Sequence, residues 1–515
     1  MALLESTLIL LLIAVFLLQV AKRLRVPYPA LLALVGGCVA ALPFAPHLNI
    51  EPRLALTLFV APAVMDTAFE LPPRELLRNW MPLVSLAVVL VLVTTAAVAY
   101  AGVAFGGIPV AAAVALGAIV APPDAAAAAA VLREFKLPRR TMSILQGESL
   151  LNDAVALLVF GLAVHAASSP GNATAALLPR LLIAVPGGVL FGIAVGLVGM
   201  RILRKVAETL SHILMQFLIT FGTWIAADRL GLSPIMAVVA VAAVGSRYAP
   251  SHTSARDRIN TNAVWAIIVF VLNVLAFLMM GLQARSILTQ MQGEELRQAL
   301  QFAAIVFGVV IVVRFAYVMT YGVVLRTFRK FFESRVLKGP APKVRVGVLV
   351  SWCGMRGLVT LATAFALPED FPKRDVIVLA AFTVVLGTLV LQGFTIRPLI
   401  ALLKIAPDNS LDHDVDVTRR AMLEAALAEV AESRDAVAAA LLVEYQTEHD
   451  ASAGRRRPIT AYDSIRQSAI AASRRLLADW RHQARILDDT YHVLEDELDR
   501  AELHSAALDS SSLEG

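Results

Sequence analysis

Two carboxylates fall where an apolar chain has no ordinary use for charge. Asp124 sits in APPDAAAAAA (121–130), and Asp153 closes GESLLND just before AVALLVF. An ionised group at mid-bilayer costs at least ~2.5–3.5 kcal/mol, so such a residue is read first as a functional site. The plainer alternative is a carboxylate near a helix end, reaching water. About seven apolar or small residues follow Asp153 directly, which argues against that alternative there. A buried carboxylate that is costly when charged and unpaired should hold either a proton or a cation. Oxygen ligands from carboxylates, a hydroxyl and backbone carbonyls suit a hard ion such as Na⁺.

The neighbouring residues supply such ligands. At helical spacing Ser149 shares a face with Asp153, and Glu148 shares an adjacent one with Asn152. Pro122–Pro123 must interrupt the helix ahead of Asp124, because proline removes a backbone donor and restricts the residue before it. Carbonyls freed near Ala121 and Pro122 are candidate ligands, and unwound backbone at depth is tolerated only where protein buries it or a cavity takes it in. A second interruption is predicted in VRVGVLVSWCGMRGLVTLATAFAL (344–367), where Gly354 and Gly357 flank Arg356. Arg356 keeps its proton and needs an acceptor. Glu148 and Asp66, the latter in VAPAVMDTAFEL, are the candidates. Pairing with one or both would leave Asp153 unpaired. Arg314, in VVRFAYV, reads as an orienting or lipid-facing residue, and His165 and His212, near span ends, read as wet histidines.

These residues need long apolar elements to hold them. The 515 residues are 58% hydrophobic and 17% charged, with a mean hydropathy of +0.72, the composition of a multi-spanning membrane protein. About thirteen spans are predicted, near 5–21, 27–44, 53–70, 80–104, 109–132, 141–166, 177–200, 211–228, 232–247, 261–284, 299–324, 344–367 and 375–401. Loops after odd-numbered spans carry about 22 Lys and Arg against 7 in the opposite set, which puts the N-terminus outside and the C-terminus in the cytoplasm. The net charge of +5 therefore belongs to the membrane-flanking loops and does not argue for nucleic acid. The first apolar run reads as a span, not a removable signal. Cys38 and Cys353 lie in apolar segments and offer neither a disulfide framework nor metal spacing.

If spans 1–6 and 8–13 form two halves, both interrupted spans hold the fifth position of their half. Interrupted spans at corresponding places point to an inverted-repeat transporter with its site at the midplane. Gly188, Gly192 and Gly196 recur every four residues in the seventh span, which permits close helix packing within the protomer, the favoured reading, or across a dimer contact. The membrane domain is expected over 1–404. A charged region with two helical patterns, 414–447 and 460–504, makes 405–515 a helical cytoplasmic domain with no ligand motif.

Gly147-Glu148-Ser149-Leu150-Leu151-Asn152-Asp153 resembles the Gly-Glu-Ser-Leu-x-Asn-Asp signature of sodium/proton exchangers, in the NhaP-like bacterial branch related to the animal exchangers. VWAIIVFVLNVLAFLMMGL, LSPIMAVVAV and the Arg-Gly of CGMRG resemble further stretches of that family, over about 1–400. The resemblance implies an all-α antiporter fold with crossed interrupted helices, an inner-membrane location and a homodimer. It implies Asp153 as the essential carrier of cation and proton. Asp124, Ser149 and a carbonyl of Pro122 or Pro123 would complete the Na⁺ ligands, with Glu148, Asn152, Arg356 and Asp66 as a supporting network. The Asn-Asp pair accompanies electroneutral exchange in that branch. Two departures stand out. Pro123 occupies a place where relatives often carry Thr or Ser, and Asp66 stands where they usually carry Glu.

Exchange of Na⁺ (or Li⁺ or K⁺) for H⁺ without any cofactor is the leading expectation. A K⁺-selective antiporter regulated by the C-terminal domain is its nearest alternative. A cation channel or membrane sensor would want a ring of charge or a filter-like carbonyl run, and neither is present. An intramembrane enzyme could use Asp124 and Asp153 as a dyad, but would leave the charges of the third and twelfth spans unexplained.

Overall fold

A computed structural model describes residues 2–405 except 25–26, 41–50, 72, most of 125–136, 169–172, 207–208, 253–254, 283–290, 292 and 332–342, together with scattered positions between 407 and 498. The chain divides into two compact units, Met1–Asp408 and Asn409–Gly515. Most of the expected helices 414–447 and 460–504 lies outside the described residues.

The first unit is helical throughout its described residues: α1 (Ala2–Leu24), α2 (Tyr28–Ala40), α3 (52–70), α4 (Pro73–Arg78), α5 (Trp80–Gly106), α6 (Val110–Val120), α7 (Arg139–Ser168), α8 (Ala173–Leu203), α9 (Thr209–Arg229), α10 (Pro234–His252), α11 (Ala255–Leu282), α12 (Gly293–Phe331), α13 (Val344–Trp352), α14 (Leu358–Phe365) and α15 (Arg374–Leu403). Helix falls within every one of the thirteen expected stretches. Seven of these helices are long and apolar enough to cross a membrane, and the chain is an all-α membrane protein.

Local chemistry explains where the helices deform. Pro62 has no N–H for the carbonyl of Leu58 and crowds that turn, and α3 opens into a π-helical turn at Leu56–Val60. α6 stops at Val120, ahead of Pro122 and Pro123. The second interruption runs from Cys353 to Gly357, between α13 and α14. Both fall where the sequence predicts them.

The glycines of α8 pack within the chain. A Cβ on Gly188 would lie 2.6 Å from the carbonyl oxygen of Ser233, one on Gly192 would overlap the carbonyl of Ala237, and one on Gly196 would press on Val244. This stripe therefore seats α8 on α10. Apolar side chains gather in two main clusters and a minor third of Val91, Ala121 and Ala156. The larger draws on α1, α2, α5–α7 and α11–α15, the smaller on α3, α7 and α8–α10. α7 contributes to both, with Leu145 in the first and Leu150 and Ala154 in the second.

Candidate functional site

The two interruptions cross and bind each other through their backbones. Asp124 N–H donates to the Met355 carbonyl at 2.7 Å. Arg356 Nε donates to the Val120 carbonyl at 3.0 Å and Nη2 to that of Ala121 at 3.3 Å, while Nη1 donates to the Gly354 carbonyl. Val120 and Ala121 end α6, where carbonyls lack partners within the helix and the dipole is negative. The guanidinium thus caps one half-helix. On the other side, a Cβ on Gly357 would overlap the Asp124 carboxylate. Gly357 precedes α14, so Asp124 lies against the positive end of another half-helix. Thr388 of α15 holds the second interruption from behind, its Oγ accepting from Arg356 N–H at 3.0 Å.

α7 lies against this crossing, and its register assigns each motif residue a direction. Glu148 and Asn152 share one face: Asn152 Nδ2 donates to the Pro123 carbonyl at 3.2 Å, and Glu148 reaches α12. Leu150 and Ala154 face the smaller cluster. Ser149 and Asp153 lie about a third of a turn from each of these faces. Asp153 therefore lies between the face turned to the crossing and the face turned to the smaller cluster, 8% exposed, with Asp124 within electrostatic reach. Among the described residues its carboxylate receives no hydrogen bond and no ion pair. Ser149 and Asp124 are half-buried, and Pro122 and Pro123 are buried. No donor among the described residues reaches the Pro122 carbonyl, whereas those of Val120, Ala121 and Pro123 are engaged.

The expected partners of the buried arginines are corrected. Glu148 pairs with Arg314, not with Arg356. The fork is bidentate, Nη1 to Oε1 at 2.5 Å and Nη2 to Oε2 at 3.1 Å, and Nη2 also donates to the Val350 carbonyl at 3.0 Å. Both residues are 1% exposed, so Arg314 is not lipid-facing, and its fork on Glu148 fits the orienting reading. Arg356 reaches neither Glu148 nor Asp66, because the crossing itself supplies enough carbonyls for its fork. Asp66 is half-buried on α3 and is engaged in interactions of its own. His212 is also corrected: it is 6% exposed and not wet. The missed signal for Arg314 is its place deep in an apolar helix, the same criterion that singled out Asp153. Gly354 lies between the two arginines, where a Cβ would strike the stem of Arg314 and crowd Arg356 Nη1.

A membrane bundle in which two broken helices cross beside an unpaired buried carboxylate defines an ion-coupled transporter. The chain belongs to the sodium/hydrogen exchanger family, matching its transmembrane region over residues 8–402. That is a family of monovalent cation:proton antiporters, and the protein is a transporter and not an enzyme. It is similar to an uncharacterized Na⁺/H⁺ exchanger of Mycobacterium tuberculosis, 32% identical over 79% of this chain and 75% of that one. It is also similar to a sodium, potassium, lithium and rubidium/H⁺ antiporter of Bacillus pumilus, 30% identical over 78% of this chain and 62% of that one. Its fold resembles that of the sodium proton antiporter NhaP1 of Methanocaldococcus jannaschii, with a TM-score of 0.59 at 16% identity, covering 78% of this chain and 99% of that one.

Proposed function

We propose that the protein exchanges a monovalent cation, Na⁺ first and Li⁺ or K⁺ as alternatives, for a proton at Asp153. The observation that carries this reading is the state of Asp153: nearly buried, beside the crossing, and free of any hydrogen bond or ion pair among the described residues while Glu148, Arg314 and Arg356 are engaged elsewhere. A carboxylate so placed is neutralised by one proton or one cation, and exchange is obligatory if it does not cross empty. One charge each way makes the cycle electroneutral, in keeping with Asn152 ahead of Asp153. The cation is held by Asp153, Asp124, Ser149 and a carbonyl of the Pro122–Pro123 turn. The Pro122 oxygen is favoured, since Asn152 already engages Pro123. Glu148, Arg314, Asn152 and Arg356 keep the crossing in register.

We infer that one half of the membrane unit moves against the other to expose Asp153 alternately to the two sides. The remaining assignments are thirteen spans in an inverted repeat, N-terminus outside, a cytoplasmic domain over 405–515, a homodimer and the bacterial inner membrane. The sequence charge bias supports the orientation.

Everted membrane vesicles carrying a proton gradient test the reading. Na⁺, Li⁺ and K⁺ are added separately to vesicles with the wild type or Asp153→Asn, and proton release is followed. Collapse of the gradient by at least one ion, lost in the variant, is expected. Equal responses in both would remove Asp153 from the exchange step.

A further inference from the structure

The segment that leaves α15 reaches back to the helix that carries Asp153. α15 ends at Leu403, and Lys404 takes a left-handed conformation, φ 45° and ψ 51°, that turns the chain. Four residues later the Asp408 carboxylate accepts a hydrogen bond from Arg139 N–H at 3.1 Å, across 269 positions of sequence. Arg139 is the first residue of α7. Its N–H is one of the donors that a helix leaves without an internal partner, and a carboxylate there also meets the positive end of the dipole. The first turn of α7 has no acidic residue of its own, so the cap comes from outside. On another side Arg140 Nε donates to Asn79 Oδ1 at 3.0 Å, and Asn79 is 2% exposed. The start of α7 is thereby held at two points. From there to Asp153 runs a continuous helix of about 21 Å, stiff enough to carry a shift of its first turn to the site.

We propose that Asp408 is a positioning residue for exchange: its carboxylate pins the first turn of α7 and, through that helix, sets where Asp153 stands against the crossing. The same residue is the last of the membrane unit, since the C-terminal unit begins at Asn409. The anchor is independent of what is transported, whereas its effect on exchange rests on Asp153 being the exchanging carboxylate.

Two measurements on the full-length protein separate these parts, using Asp408→Ala and Asp408→Glu. Backbone hydrogen exchange over residues 139–142 should quicken in the alanine variant and return toward the wild type in the glutamate variant. In everted vesicles, with Na⁺, Li⁺ and K⁺ added separately, the half-saturating concentration should move by roughly three- to tenfold in Asp408→Ala, the scale of a lost helix cap, and recover in Asp408→Glu. Equal hydrogen exchange in all three proteins overturns the anchor. Faster exchange with wild-type cation dependence reduces Asp408 to a local cap and overturns the positioning role, as does a fall in the amount of inserted protein with unchanged half-saturation. If no ion drives proton release in the wild type, the transport reading fails and takes the positioning role with it, while the hydrogen-exchange result still reports the anchor.

Discussion

Arg314 and Arg356 are buried to the same degree, 1% exposed each, and their charges are met in different ways. Arg314 faces a carboxylate, the bidentate Glu148, and one carbonyl. Arg356 faces carbonyls alone, two of them at the open end of α6. The first arrangement joins α12 to α7 by opposite charges, and the second joins two half-helices by a charge and a dipole. In consequence neither arginine draws on Asp124 or Asp153. The crossing is stabilised without engaging the carboxylate of Asp153.

Removing one partner of the charged pair should do the most damage. Arg314→Ala leaves Glu148 buried without its partner, and loss of a partner from a buried pair costs about 3–5 kcal/mol. Thermal unfolding of the detergent-solubilised protein should show it, and Arg314→Lys should not restore it, since an ammonium lacks the fork. The pair Arg314→Met with Glu148→Leu should recover most of the loss. A double variant as unstable as the single one would show that the charges do not compensate each other.

Arg356→Gln should cost less, about 1–3 kcal/mol, because it strips donors from carbonyls but strands no carboxylate. The same unfolding measurement ranks the two. If Arg356→Gln proves as damaging as Arg314→Ala, Arg356 neutralises a carboxylate after all and the contrast collapses.

The freedom of Asp153 is read from pH. With no arginine engaged there, the proposed competition of proton and cation for Asp153 predicts that lowering the pH raises the half-saturating cation concentration. The rise approaches about tenfold per pH unit wherever the empty carboxylate is protonated. Vesicle assays at several pH values check it, and an affinity independent of pH across the active range would sink simple competition.

Most of this frame is legible in the residues. Long apolar runs report their own burial, and Pro122–Pro123 and Gly354 with Gly357 announce breaks whatever the surroundings. The GESLLND stretch carries its face assignments in its spacing, because i and i+4 must share a face of one helix. The partner of Glu148 is not legible. Arg314 lies 166 positions away on a 39-residue helix, and nothing local says which face of that helix turns inward. The acceptors of Arg356 are not legible for a related reason: they are backbone atoms, which every sequence supplies equally. Only the crossing makes Val120 and Ala121 special.

The smallest effect tests how rigidly that crossing is held. Thr388 accepts from Arg356 N–H and donates to the Val385 carbonyl at 3.1 Å. Thr388→Val keeps the shape and leaves one buried donor without a partner, a loss of about 1 kcal/mol. Combined with Arg356→Gln the losses should fall short of additive, because the side chain and the N–H of Arg356 position the same turn, and groups that share a network couple. Unfolding of the two single variants and the double closes the cycle. Additive losses would mean that the turn between Cys353 and Gly357 is fixed by α15 whether or not Arg356 grips α6, and that the crossing is held by two independent clasps.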